Sequence, residues 1–176
     1  MTAHDLATLF DYNYWANRKL LDVVATLDGE EFTRRIAGSY GSIRNSLVHA
    51  LSTEWGWLDR CGGLKRGPKL DPENYPDFES LAGDWERVES SMQSFIGGLA
   101  DADLERAVEY PGANGTTRSM PLVELMHHVS VHTAHYRAQV ALLLRELGRT
   151  PGNVDLNESL RSPSTAVRHV VAWNPV

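Results

Sequence analysis

An all-α four-helix bundle is the fold class this sequence predicts, and three observations predict it. Four segments carry apolar residues at helical spacing, Gly or Pro stop signals separate them, and no alternating run is long enough for a convincing sheet. The 176 residues fit a single domain, 1–176, with a tail from about 162 to 176 that lacks clear periodicity.

The first helix is predicted from Ala3 to about Thr26, where Leu6, Phe10, Leu20, Leu21 and Val24 recur along one stripe and Leu27-Asp28-Gly29 supplies the stop. Asn13 and Asn17 fall in the middle of that stripe, where leucines would pack better. They are either buried amides bonded to neighbouring backbone or contacts to a site inside the bundle. Gly41-Ser42 opens a second helix that runs through about Cys61 and stops at Gly62-Gly63. Ile43, Leu47, Leu51 and Leu58 make its stripe, and Glu54 lies within it, a carboxylate that needs a partner if buried. His49 lies off the stripe beside Ser42, Ser46 and Thr53, on a cleft edge or a solvated face; nearness to His132 decides which.

Leu64 to Phe78 carries three prolines and reads as a surface loop. A third helix follows from Ser80 to Leu99, with Leu81, Trp85, Val88, Met92, Phe95 and Ile96 at core spacing; its polar residues are expected to be solvated. The turn-rich stretch around EYPGANGTTRS allows Ala107-Val108 and Thr116-Thr117 to pair as a short hairpin. Pro121 suits the first turn of a fourth helix that ends at Gly148, with Pro151 beyond, and Asn157 to Leu160 can form a last short turn.

The fourth helix carries the chemistry. In HVSVHTAHYRAQVALLLREL, His128, His132 and His135 occur at four- and three-residue spacings, which put the rings on one side of a helix. His132 and Tyr136 lie nearest the apolar stripe of Leu125, Val129, Val140, Leu143 and Leu147, with His128 and His135 at its margin. A lone buried histidine is most often a satisfied core residue. Three on one face, with a fourth donor available upstream at His49, point instead to a metal. Asn13, Asn17, Glu54, His132 and Tyr136 would then line one site.

Composition excludes several function classes. A formal charge of −6 without a Lys/Arg run argues against nucleic acid as a partner. No leader pattern is visible at the N-terminus, and VALLL falls far short of the roughly 20 apolar residues of a spanning helix, so no membrane is expected and a cytoplasmic location is. The single cysteine, Cys61, removes disulfide frameworks and Cys-rich zinc sites and reads as a packed small residue. Glu124 and His127 match the Glu-x-x-His of di-iron bundles, but no second copy exists. G-x-S-x-G elbows and glycine-rich phosphate loops are absent.

The sequence resembles the DinB/YfiT-like superfamily in YNYWANRKLL (Tyr12 to Leu21), SLVHALSTEWGWL (Ser46 to Leu58) and HVSVHTAHYRAQVALLLRELGRTPGNVDL (His128 to Leu156). That resemblance implies a nickel or zinc site formed by one histidine of the second helix and two donors of the fourth. His49 matches the first position and His132 the second. The third, four residues after the second and just before the Arg, is Tyr136 here and not histidine. The missing donor is then His135, which the resemblance favours, His128, or Tyr136 as a phenolate, unless the site is degraded and empty. The resemblance also implies thiol S-transferase chemistry, with a low-molecular-weight thiol and an electrophile as partners and Glu54 as a supporting or proton-handling group. The rival reading is a non-catalytic metal- or small-molecule-binding stress protein. A homodimer is the assembly to test.

Overall fold

The computed structural model describes residues 1–37, 40–112 and 114–161. The elements run α1 (Ala3–Val24), α2 (Gly29–Thr33), α3 (Ile43–Cys61), α4 (Phe78–Gly97), β1 (Ala107–Pro111), β2 (Thr117–Pro121), α5 (Leu122–Glu146) and α6 (Leu156–Arg161). The long helices α1, α3, α4 and α5 form the all-α bundle expected from the sequence. Helices α3 and α5 are neighbours, as are α1 and α5, α3 and α4, and α1 and α4, so the four occupy the corners of a square. The irregular tail expected from 162 onward lies outside the described residues.

Each long helix starts where the sequence offers a cap or a turn. Thr2 Oγ1 accepts from Asp5 N–H at 3.1 Å while Asp5 Oδ2 accepts from Thr2 N–H at 2.8 Å, closing a reciprocal capping box on α1. Ser42 and Asp77 do the same singly for α3 and α4, each accepting a backbone N–H three residues on. Pro121 stands just before α5, and Gly148, at φ +73°, lets the chain leave it in a left-handed conformation. The short α2 was not foreseen from the periodicity; Asp28 and Glu31 cap it reciprocally, and Phe32 is its one buried side chain.

The hairpin exists but in another register than expected: Ala107 and Val108 stand opposite Pro121 and Met120, and Thr117 stands opposite Pro111. Its Tyr110 ring packs edge-on against Trp57 of α3, with ring centres 5.1 Å apart, which fixes the strand pair to the bundle.

Two apolar clusters fill the interior. One gathers Leu20, Val24, Phe32, Leu47, Leu51, Leu81, Val140 and Leu144; the other gathers Leu6, Phe10, Cys61, Met92, Leu122, Met126 and Val129. Between them on α1, α3 and α5 lie the buried polar residues Asn13, Asn17, Glu54, Thr133 and Arg137. This layer interrupts a core that leucines would fill, and the site is built on it.

One expectation fails on α4. Glu89, placed among its solvated polar residues, instead lines a cavity of about 270 Å³ between α1 and α4, with Arg18, Leu21, Phe78 and Trp85. Desolvation raises its carboxyl to about 7, against the pull of Arg18 at 3.7 Å. Period alone places Glu89 four residues after Trp85 and three before Met92, on the margin of the buried stripe.

Candidate metal centre

Helices α3 and α5 meet along one groove, and three rings converge there. The ring centres of His49 and His132 are 5.3 Å apart, and Tyr136 lies 4.6 Å from each. Contact with His132 puts His49 on a cleft edge, the alternative its place off the apolar stripe left open. One turn along α5 connects His132 to Tyr136, which is why the four-residue spacing brings both to the same neighbour.

Tyr40, on the segment entering α3, covers this group. Its ring stacks on His49 at 4.2 Å, meets Tyr136 edge-on at 5.4 Å, and its hydroxyl lies 3.3 Å from His49 Nε2.

The other histidines stand further out. His128 is exposed, 5.8 Å from the His132 ring and edge-on to Trp57. His135 is also exposed; its ring meets Tyr136 edge-on at 5.1 Å and its Nε2 lies 2.5 Å from the Gln139 side-chain nitrogen. His127, of the Glu-x-x-His pair, reaches the Met1 sulfur at 3.1 Å.

The electrostatics favour neutral rings. Burial, then the nearby His49, His128 and His135, lower His132 to about 4. Burial also lowers His49, helped by the cations Lys69 and Arg66. Tyr136 is pushed up to about 12 by desolvation and by hydrogen bonding with Tyr40. Both imidazoles are therefore in the form that can donate a lone pair at neutral pH, and the phenol keeps its proton unless a cation displaces it.

Two imidazoles sharing a tetrahedral ion at about 2 Å would have ring centres about 5 Å apart, and the His49–His132 pair at 5.3 Å matches that spacing. Among the described residues no three His, Cys, Asp or Glu side chains are grouped so as to hold a metal. The oxygen and nitrogen groups gathered around His49 and His132 are thus the two imidazoles and the phenols of Tyr40 and Tyr136.

Beneath the rings the polar layer resolves the oddities of α1 and α3. Arg137, only 5% exposed, donates from Nη1 to Asn13 Oδ1 at 2.9 Å, to Asn17 Oδ1 at 2.8 Å and to the Asn13 carbonyl at 3.3 Å. Its guanidinium also lies 5.4 Å from the Tyr12 ring centre, and Nη2 reaches the Tyr12 hydroxyl at 3.4 Å. Glu54 receives the Tyr14 hydroxyl at 2.7 Å and the Thr133 hydroxyl at 3.4 Å. Desolvation raises the Glu54 carboxyl, opposed by those two hydrogen bonds and by the charge of Arg137. The two asparagines are therefore the cradle of a buried guanidinium. Arg137 itself was passed over in the sequence, although it follows Thr133 by four residues and precedes Val140 by three, on the buried side of α5. Cys61 is fully buried and its thiol is pushed up to about 11, chiefly by burial, which makes it a packing residue.

Residues 1–166 match the model of the DinB family. The chain belongs to the DinB family. It is 22% identical over 152 residues to protein DinB of Bacillus subtilis (strain 168), covering 84% of this chain and 88% of that protein. To the uncharacterized protein YizA of the same organism it is 22% identical over 149 residues, covering 81% and 87%. The crystal structure of a DinB-like protein from Bacillus cereus superposes with a TM-score of 0.71 at 21% identity, covering 86% of this chain and 97% of that one. This DinB-family bundle has no helix among its described residues long and apolar enough to cross a membrane.

Proposed function

We propose that this DinB-family protein is a metal-dependent enzyme of thiol S-transferase type, its divalent ion held by His49 and His132 at the α3–α5 groove. The observation that carries the reading is the convergence of two neutral imidazoles at 5.3 Å with a phenol 4.6 Å from both. Tyr136 is the third donor this geometry favours. His135, the donor favoured by the family pattern, is the competing arrangement and would have to give up its Gln139 contact and turn inward. When bound, nickel or zinc would supply Lewis acidity that favours the thiolate of a low-molecular-weight thiol at neutral pH.

The protein's own residues prepare the groove. Ligation through His49 Nε2 requires Tyr40 to surrender its contact there, so Tyr40 sets how readily the groove opens. Arg137 and Glu54 fix the inner side of α5: Thr133, one residue from His132, is tied to Glu54, and Arg137, one residue from Tyr136, is tied to α1. Glu54 is a positioning residue here, since its contacts run to Tyr14 and Thr133.

The second reading, a non-catalytic metal- or small-molecule-binding protein, is favoured by one observation: Tyr136 at about 12 resists becoming the phenolate that ligation needs. Turnover of a panel of electrophiles with simple thiols, by protein loaded with nickel or zinc, separates the two. Product formation that is lost in His132→Ala supports the enzyme. Stoichiometric metal with no turnover of any pair supports the binding protein.

A further inference from the structure

The edge of the square opposite the α3–α5 groove, between α1 and α4, holds the cavity of about 270 Å³ that Glu89 lines. Phe78, Ala82, Trp85 and Glu89 follow one another along α4 at four-, three- and four-residue spacing, and Arg18, Leu21 and Asp22 face them from α1. The space is there because the α4 wall is short of side chain at its middle. Ala82 stands between Phe78 and Trp85, and Gly83 also lines the cavity, where an added Cβ would meet no atom within 4 Å.

The walls are apolar and the charge is one-sided. Leu21, Phe78 and Trp85 are buried. Of the charged lining residues, Asp22, Glu79, Glu86 and Glu89 are acids and Arg18 alone is a base. Asp22, Glu79 and Glu86 are exposed and stand at the opening, whereas the Glu89 side chain is only 13% exposed. Arg18 answers it poorly: the arginine side chain is 52% exposed, and the 3.7 Å from its Nη2 to Glu89 Oε1 exceeds hydrogen-bond reach. Drawing a carboxylate into apolar surroundings is costly unless it is closely paired. Glu54 offsets that cost with the hydroxyls of Tyr14 and Thr133, and Glu89 meets no hydroxyl among the described residues.

A buried carboxylate in a cavity with aromatic walls is the complement of an organic ammonium. The ammonium would take the place of the half-exposed Arg18 beside Glu89, and its apolar body would fill the space along Phe78 and Trp85, whose ring faces also attract a cation. The size agrees. An apolar cavity of about 150 Å³ takes up benzene, so about 270 Å³ has room for an aromatic ring carrying a short amine chain.

We propose that the α1–α4 cavity is a second ligand site, taking a small arylalkyl amine whose ammonium group is received by Glu89. The site stands apart from the His49–His132 groove and does not rest on that groove's function.

The test uses the full chain and three probes of similar shape: 2-phenylethylamine, 2-phenylethanol and 3-phenylpropionate. Binding is followed by calorimetry and through the indole N–H resonance of Trp85. The amine should bind about tenfold more tightly than the alcohol, and the carboxylate should not bind. Glu89→Gln keeps the shape of the site and should bring the amine close to the affinity of the alcohol. Arg18→Gln removes the competing cation and should tighten the amine several-fold, which a merely structural ion pair would not do. Gly83→Leu fills the space with every charge in place, and leucine favours a helix over glycine, so this variant should fold and bind neither amine nor alcohol. Removing metal with a chelator should leave the affinities unchanged. Equal affinity for amine and alcohol in the unaltered protein overturns the proposal, as does no binding of the amine. Amine binding kept in full by Glu89→Gln, or lost on chelation, places the ammonium elsewhere and overturns it too.

Discussion

His132 and Thr133 are consecutive on α5, as are Tyr136 and Arg137, yet each pair divides between two different environments. The first member of each faces the groove, where rings are half-buried, neutral and in contact mainly with one another. The second faces the interior, where charge is buried and each charged group is held by named donors or acceptors. A 100° step along a helix separates a centre that can change partners from a layer that cannot. The interior fixes α5 against α1 and α3, and the groove uses the alignment so obtained.

The comparison breaks most visibly at Arg137. Arg137→Leu keeps bulk but leaves Asn13 Oδ1 and Asn17 Oδ1 without their donor and Glu54 without its compensating charge. Denaturant unfolding should show a loss of about 3–5 kcal/mol. The matching change in the groove, His132→Leu, should cost far less stability. Equal losses would erase the distinction between the two faces.

A second test reads another buried charge, in the opposite groove of the bundle. Glu89 sits at about 7 in the folded protein, above its ordinary 4.5, so folding favours its protonated form. Stability from this group is complete below the unfolded value and is lost as pH rises from 4.5 through about 7. Glu89→Gln removes that loss. The variant should match the parent near pH 4 and exceed it by roughly 2–3 kcal/mol at pH 8. A constant difference across that range would place the carboxylate in water.

The smallest expected effect sharpens the groove side. Tyr40→Phe retains the ring that stacks on His49 but removes the hydroxyl at Nε2. One hydrogen bond of about 1 kcal/mol should then no longer compete with ligation, and nickel or zinc should bind roughly fivefold more tightly. Weaker binding by calorimetry would mean that the hydroxyl orients the ring for the metal.

Much of this architecture was legible in the sequence, because long amphipathic helices with caps and glycine stops state their own bounds. Even the polar layer announced itself through Asn13, Asn17 and Glu54, residues standing where leucines would pack. Their common partner did not, because an arginine on a helix is ordinary and only its register with Thr133 and Val140 marks Arg137 as buried. The three-histidine pattern of α5 was also only partly informative. Spacing puts His128, His132 and His135 on one side of the helix, whereas the neighbouring α3 selects His132 and Tyr136 and leaves the other two exposed.

On the proposed reading, His49 and His132 hold a divalent ion. Its most direct test is the metal content of protein purified without a nickel column, measured for the parent and for His49→Ala, His128→Ala, His132→Ala, His135→Ala and Tyr136→Phe, with the fold of each verified by circular dichroism. The parent should carry nickel or zinc near one per chain, His49→Ala and His132→Ala should lose it, and His128→Ala should keep it. Loss in Tyr136→Phe with retention in His135→Ala assigns the phenol as third donor, and the reverse assigns His135. Full occupancy in a folded His49→Ala or His132→Ala protein would contradict the claim.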